Sequence, residues 1–230
     1  MGAKIWQLLA LKRLYLKKMC GEAFTQLQSN ALQNANPVRK AMSGYTNAKQ
    51  GDGLDSMIES CNVCARSKLT TQRLSGFLNP QSSVCFITAN PLVDSKHAKP
   101  VFVANKSATM LQNMITNVFN LPLQSCSILS LVKCPIESTP HIDEVSMCIG
   151  FLHTQLEHIT PKVIVLFGQE CAQYVLGQNV EGVRDFRDYG RILWHNNRSF
   201  LLTYSLGEIV RNPSLKPQVM QHLLVAKGVL

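Results

Sequence analysis

The chain has 230 residues, 46% of them hydrophobic and 16% charged, with a formal net charge of +9. That length holds one substantial core plus an extension, and no stretch is apolar enough to span a membrane. The basic balance, with a pI near 9.3, favours a polyanionic partner such as nucleic acid.

Near the N-terminus Leu8, Leu11, Tyr15 and Met19 recur at helical spacing, flanked by Lys12, Lys17 and Lys18. This spacing predicts a basic amphipathic helix that packs on the domain's own core, with a membrane surface, DNA or a protein partner as the alternatives. The apolar run Ile5 to Leu11 is short and meets Lys12 and Arg13 at once, with no small-residue cleavage site after it. It therefore does not read as a secretion signal, and the expected compartment is cytoplasmic. Residues 30–56 are polar and rich in Asn, Gly and Ser, and read as a linker. The chain is accordingly divided into residues 1–56, the basic extension, and 57–230, the folded domain.

Beyond the linker the pattern is regular. Ser83 to Thr88, Ser127 to Lys133 and Lys162 to Phe167 are short apolar runs that read as buried strands. Lys106 to Phe119, Ile142 to Ile159, Gln169 to Leu176 and Ser214 to Lys227 carry helical spacing. Arg191 to His195 and Ser199 to Tyr204, joined by Asn196-Asn197, predict a hairpin ending in a further strand. Strands alternating with helices predict an α/β fold with a mainly parallel sheet covered on both faces. Ligands of such folds bind at the carboxyl ends of the strands, here Thr88 to Asp94, Val132 to Thr139, Gly168 and Tyr204 to Glu208. No glycine-rich dinucleotide or P-loop motif is present.

The chain has eight cysteines, which a reducing compartment keeps from pairing as disulfides. Cys85 falls in a strand and Cys171 in a helix, as small core residues. Cys20 and Cys126 receive no role. Cys61 and Cys64 form a C-x-x-C; Cys134 follows a strand end, and Cys148 lies on the next helix. Two close ligands plus two distant ones is how a four-cysteine site is often built, and zinc and [4Fe-4S] clusters both accept four thiolates. A redox dithiol needs the C-x-x-C at a strand–helix junction, whereas this one precedes the first clear strand.

Several segments together resemble the iron–sulfur uracil-DNA glycosylases, family 4 of that superfamily. They are C-N-V-C at 61–64, L-V-K-C at 131–134 followed by Cys148, I-T-P-K-V-I-V-L-F-G at 159–168, V-R at 183–184, and L-T-Y with V-R-N-P-S-L-K between 202 and 216. The order is the family's, and the likeness spans roughly residues 57–230. It implies a three-layer αβα sandwich around a four-stranded, mainly parallel sheet. It also implies that Cys61, Cys64, Cys134 and Cys148 hold a [4Fe-4S] cluster, with zinc as the lesser alternative.

Such enzymes extrude a base and hold it in a pocket. Where the family's first strand ends in G-E-A-P-G, this chain has T-A-N-P-L, so Ala89 replaces the acid. Where the second ends in T-N-V-V-K-C, it has L-S-L-V-K-C, so Ser130 replaces the Asn that reads the uracil edge. Where the last leads into Y-H-P, it has Y-S-L, so Ser205 replaces the anion-stabilising His, with Glu208 close behind. Phe102, in K-P-V-F-V-A-N-K, falls near the family's stacking aromatic. Asn90, Asp94 and His97 are the candidates for a relocated catalytic set. Lys133, Arg184, Arg211 and Lys216 are the candidate phosphate contacts. The expectation is a monomeric DNA-binding member of this superfamily with lost or much reduced uracil excision. The alternatives are a DNA glycosylase of altered chemistry or base preference, and a non-enzymatic partner-binding protein that keeps the fold.

Overall fold

The computed structural model describes residues 52–94, 99–177 and 188–230. These lie in the second of two compact units, Tyr45–Leu230. The expected N-terminal helix, His97 and Arg184 fall outside the described residues.

The central sheet has β1 (Val84–Thr88), β4 (Ser127–Ser130), β5 (Val163–Phe167), β6 (Ile192–His195) and β7 (Arg198–Thr203), in the order β4-β1-β5-β7-β6. The first four in that order run parallel, and β6 pairs antiparallel with β7. The expected parallel quartet is present, with the hairpin strand β6 adding a fifth member at the edge. Asn196 and Asn197 both adopt left-handed conformations, at φ 48° and 59°, which is what a tight two-residue hairpin turn needs. A separate two-stranded ribbon joins β2 (Val93–Asp94) to β3 (Val101–Phe102).

Five of the helices matter to the site. They are α1 (Asp52–Glu59), α2 (Lys106–Asn113), α3 (Ile142–Glu157), α4 (Gln169–Leu176) and α5 (Leu206–Arg211), and α6 (Lys216–Lys227) closes the chain. The helix α1 begins inside the segment read as a linker. The α2 segment widens into a π-helical turn, Met114–Phe119, and ends at left-handed Asn120. Among the described residues no helix is long and apolar enough to cross a membrane.

The central strands β1 and β5 are buried on both faces, which is why they read as unbroken apolar runs. Val84 and Phe86, Ile128, Val163, Val165 and Phe167, and Leu201 form one face. Against it pack Leu111 and Ile115 from α2 and its π turn, Leu206 and Ile209 from α5, and Val219 and Leu223 from α6. The alternate residues Cys85, Ile87, Leu129, Ile164, Leu166 and Leu202 are buried too. Phe151 and Leu152 of α3 and Cys171 and Ala172 of α4 supply the third layer. This is the expected αβα sandwich.

Candidate functional site

The carboxyl ends of β1, β5 and β7 open into a cavity of about 890 Å³. Its wall includes Thr88, Ala89 and Asn90 after β1, Phe167, Gln169 and Glu170 after β5, and Ser205, Glu208 and Arg211 after β7. The loop after Cys134 contributes Pro135, Ile136, Glu137, Thr139 and Pro140. A second cavity, of about 910 Å³, is lined largely by Met110, Met114, Val118, Ile209, Met220 and Leu223 and offers little chemistry. The polar cavity therefore holds the candidate site.

Its lining carries the cations Lys106 and Arg211 and the carboxylates Glu137, Glu170 and Glu208. Ala89 stands in the wall and brings no proton acceptor. Ser205 caps α5: its Oγ accepts from the Glu208 backbone N–H at 3.2 Å and donates to Glu208 Oε2 at 2.7 Å. The Ser205 backbone N–H also donates to Glu208 Oε2, at 2.8 Å. The S-x-x-E capping box thus turns the Glu208 carboxylate back over the place where the family has its His. Gly168, at φ +100°, makes the strand-to-helix turn here; a Cβ on it would lie 3.0 Å from Ser205 Cβ and 3.6 Å from Glu170 Oε2. Glu170 is surface-exposed in the open cavity. Partial burial of its carboxyl still raises its pKa, with the Glu208 charge adding and Arg211 opposing.

Several expected site residues are placed otherwise. Ser130 is buried, its Oγ donates to the Val132 carbonyl at 2.7 Å, and it does not line the cavity. Phe102 packs against the apolar core instead of facing the cavity. Lys133 is only 1% exposed. Its Nζ donates to Ser130 O at 3.0 Å and to Gln155 Oε1 at 2.6 Å, so it does not reach a phosphate. Burial pulls its pKa down to about 8, and the Cys148 and Asp55 charges oppose that. Asp94 pairs with Val101 in the β2–β3 ribbon and is not part of the cavity wall. Asn90 does line it, yet its amide is engaged: Oδ1 accepts from Arg66 at 2.8 Å and Nδ2 donates to Ser138 O at 3.1 Å. Arg211 and Lys216 are exposed, Arg211 at the polar cavity and Lys216 at the apolar one.

The four singled-out cysteines lie within electrostatic range of one another, linked through Cys134 and Cys148. All described cysteines are free thiols. Cys134 interacts electrostatically with Cys61 and Cys64, and Cys148 with Cys61 and Cys134. Burial pushes Cys134 up to about 11, with Arg73 opposing and Cys64 and Cys61 adding. Burial likewise pushes Cys148 up to about 12, with the Lys133 charge and backbone N–H opposing. Arg73 wraps the C-x-x-C turn, donating to Cys61 O at 2.9 Å and Ser67 O at 2.7 Å. Among the described residues no three His, Cys, Asp or Glu side chains converge on one metal ion. Four thiols, with Arg66 and Arg73 acting electrostatically on Cys134 and Lys133 on Cys148, have the donor chemistry of an anionic four-thiolate cluster. On that donor chemistry the residues fit a cluster; when bound, it would supply the cross-link between their segments.

Sequence reasoning missed Glu170, Lys106 and Arg66. Glu170 was signalled by its place in the first turn of the helix that follows the strand-end Gly168. Lys106 followed the N-cap Asn105 that opens α2.

Comparisons with known proteins agree with this architecture. The profile described as Uracil DNA glycosylase superfamily matches residues 75–225, which include Cys134 and Cys148 and begin after the C-x-x-C. A Type-4 uracil-DNA glycosylase of Sulfurisphaera tokodaii is 25% identical over 165 residues, covering 68% of this chain and 74% of the relative. One of Archaeoglobus fulgidus is 26% identical over 168 residues, covering 70% and 83%. One of Saccharolobus solfataricus is 30% identical over 131 residues, covering 54% and 59%. With its parallel sheet and a profile match over most of its length, the chain belongs to the uracil DNA glycosylase superfamily.

Proposed function

We propose that this chain is a monomeric, cytoplasmic, iron–sulfur DNA-binding protein whose uracil excision is lost or much reduced. The observation that carries the reading is the cavity's chemistry. Ala89 stands where the family has its acid, and Glu208 closes over Ser205 where the family has its His. Loss of a general base costs about 10²–10⁴ in rate, and loss of one anion-stabilising donor about 10²–10³. A carboxylate beside a departing uracil anion adds repulsion. DNA binding is supported by the +9 net charge and by exposed Arg211 and Lys216.

The test is binding of the iron-loaded protein to single- and double-stranded oligonucleotides across a salt series. Affinity is expected to fall steeply with salt. Arg211→Ala is expected to weaken binding to all sequences and to flatten the logarithmic salt slope by about 1. No binding of either strand form at low salt would sink the proposal. Binding unaffected by Arg211→Ala would move the DNA surface elsewhere or favour the partner-binding alternative.

A second reading, a glycosylase of altered chemistry, is favoured by Glu170. Partial burial and the Glu208 charge raise the pKa of its carboxyl, which lines the same cavity as Ser205, and such a carboxyl is suited to donate a proton to a departing base. Such activity would be greatest below that raised pKa and decline as pH rises through it. Glu170→Gln keeps a hydrogen-bond donor but has no proton to give. It is expected to abolish any excision found on a panel of uracil, hypoxanthine and alkylated-purine oligonucleotides. Strands that stay intact after alkali across the whole panel would rule this reading out.

A further inference from the structure

Arg66 is the largest of the fully buried side chains, 1% exposed, two residues after Cys64 in the 3-10 turn Ala65–Lys68. A guanidinium cannot lose its charge, so burying it is tolerated only with a full set of acceptors. The partners come from two directions. On one side are the cysteine-bearing segments: Nε donates to the Cys134 carbonyl at 3.3 Å, and Nη1 meets Glu144 Oε2 at 3.4 Å, one helical turn before Cys148 on α3. On the other side is the cavity wall: Nη2 donates to Asn90 Oδ1 at 2.8 Å, and to the Ile136 carbonyl. Ser138, between Ile136 and Thr139 in the same loop, accepts through its carbonyl at 3.1 Å and its Oγ at 3.4 Å. Asn90 closes the ring by donating to that same Ser138 carbonyl at 3.1 Å.

One cation therefore holds the C-x-x-C turn, the Cys134 backbone and the start of α3 in register with the loop and the Asn90 amide that shape the cavity. A shift of the cysteine segments strands part of the guanidinium's partners unless the cavity wall follows. An unpartnered buried charge is strongly disfavoured, so the bonds of Arg66 tie the position of the wall to that of the cysteine segments.

We propose that Arg66 is a positioning residue that couples the cysteine centre to the cavity, so that loading of the four cysteines and binding of a DNA strand in the cavity strengthen each other. This rests on the reading of the cysteines and the cavity given above. Linkage makes the effect reciprocal: the factor by which loading tightens DNA binding equals the factor by which DNA tightens loading.

The probe is an oligonucleotide carrying a stable abasic analogue. Release of iron from the loaded protein to a chelator is followed by loss of visible absorbance, with and without saturating oligonucleotide. The oligonucleotide is expected to slow release by about 5-fold or more in the unsubstituted protein. Asn90→Ala cuts the link to the β1 side of the cavity wall while leaving the Arg66 bonds to Cys134, Glu144, Ile136 and Ser138; it is expected to retain iron and to lose a measurable part of the protection. Arg66→Lys keeps the charge without the planar fork and is expected to do the same. Protection undiminished in Asn90→Ala, or absent from an unsubstituted protein that holds iron and binds the oligonucleotide, overturns the coupling alone. Absence of iron, or of oligonucleotide binding measured by anisotropy, overturns the parent reading and this inference with it.

Discussion

Replacing Cys134 by Ser is expected to strip iron from the purified protein and to lower its stability by at least about 3 kcal/mol. Binding to a centre that exists only in the folded chain is folding free energy, so losing a ligand loosens every segment the centre ties together. Here those segments are the C-x-x-C turn, the end of the β4 region and the start of α3. Their other ties are polar: Arg66 and Arg73 hold the turn, the Leu74 N–H donates to Lys133 O at 2.8 Å, and Lys133 donates to Gln155 of α3 at 2.6 Å. Cys134 is 4% exposed, so a serine there would also bury a hydroxyl in a thiol's place. The control is Cys85→Ala, deep in β1 at 0% exposure. It is expected to cost a small cavity and to keep the full iron content. Iron analysis and thermal unfolding of the two variants decide the matter. Iron retained in Cys134→Ser, or lost equally in Cys85→Ala, would mean that the four cysteines are not the ligands.

Much of the scaffold was legible because parallel strands buried on both faces leave a simple trace. V-C-F-I-T and V-I-V-L-F are continuous apolar runs, and the Asn pair at the hairpin has few other uses. The strand read as Ser127 to Lys133 ends at Ser130, because the chain bends there while still bonding to Thr88 and Ala89. The short helix α5 was missed: six residues hold too little periodicity to show. Its signal was the S-L-G-E capping box, which instead reads as a strand-end loop if only the family's His is sought there. Ser205 and Ala89 line the cavity, where motif order along the chain puts them. Lys133 does not, and a lysine beside a cysteine gives no hint that Gln155, on the next helix, waits to receive it. Arg66 is the harder case. All its partners lie at least 24 residues away in sequence, so no local pattern could announce it.

A protein carrying Ala89→Glu, Ser205→His and Glu208→Ala together is expected to excise uracil at least about 10²-fold faster than the unsubstituted chain. Ala89 already forms part of the cavity wall after β1, so a carboxylate there can orient water against an extruded nucleotide. Ser205→His alone should achieve less. Glu208 Oε2 lies 2.7 Å from Ser205 Oγ and would capture an imidazole placed at this position before it could face a departing base. Glu170 adds a second carboxyl nearby, and removing Glu208 leaves one negative charge fewer against a uracil anion. The room is tight on the sheet side, where a Gly168 Cβ would come within 3.0 Å of Ser205, so the imidazole has to turn outward into the cavity. Losing the capping box weakens α5 by about 1 kcal/mol, which a domain of this size tolerates. Single-turnover cleavage of a uracil oligonucleotide measures the gain, with Ser205→His alone as the comparison. If the triple variant folds, binds DNA and excises no faster than the unsubstituted protein, then the cavity does not seat uracil. The cause would then lie at Ser130, whose hydroxyl is turned to the Val132 carbonyl and leaves no group to read the base edge.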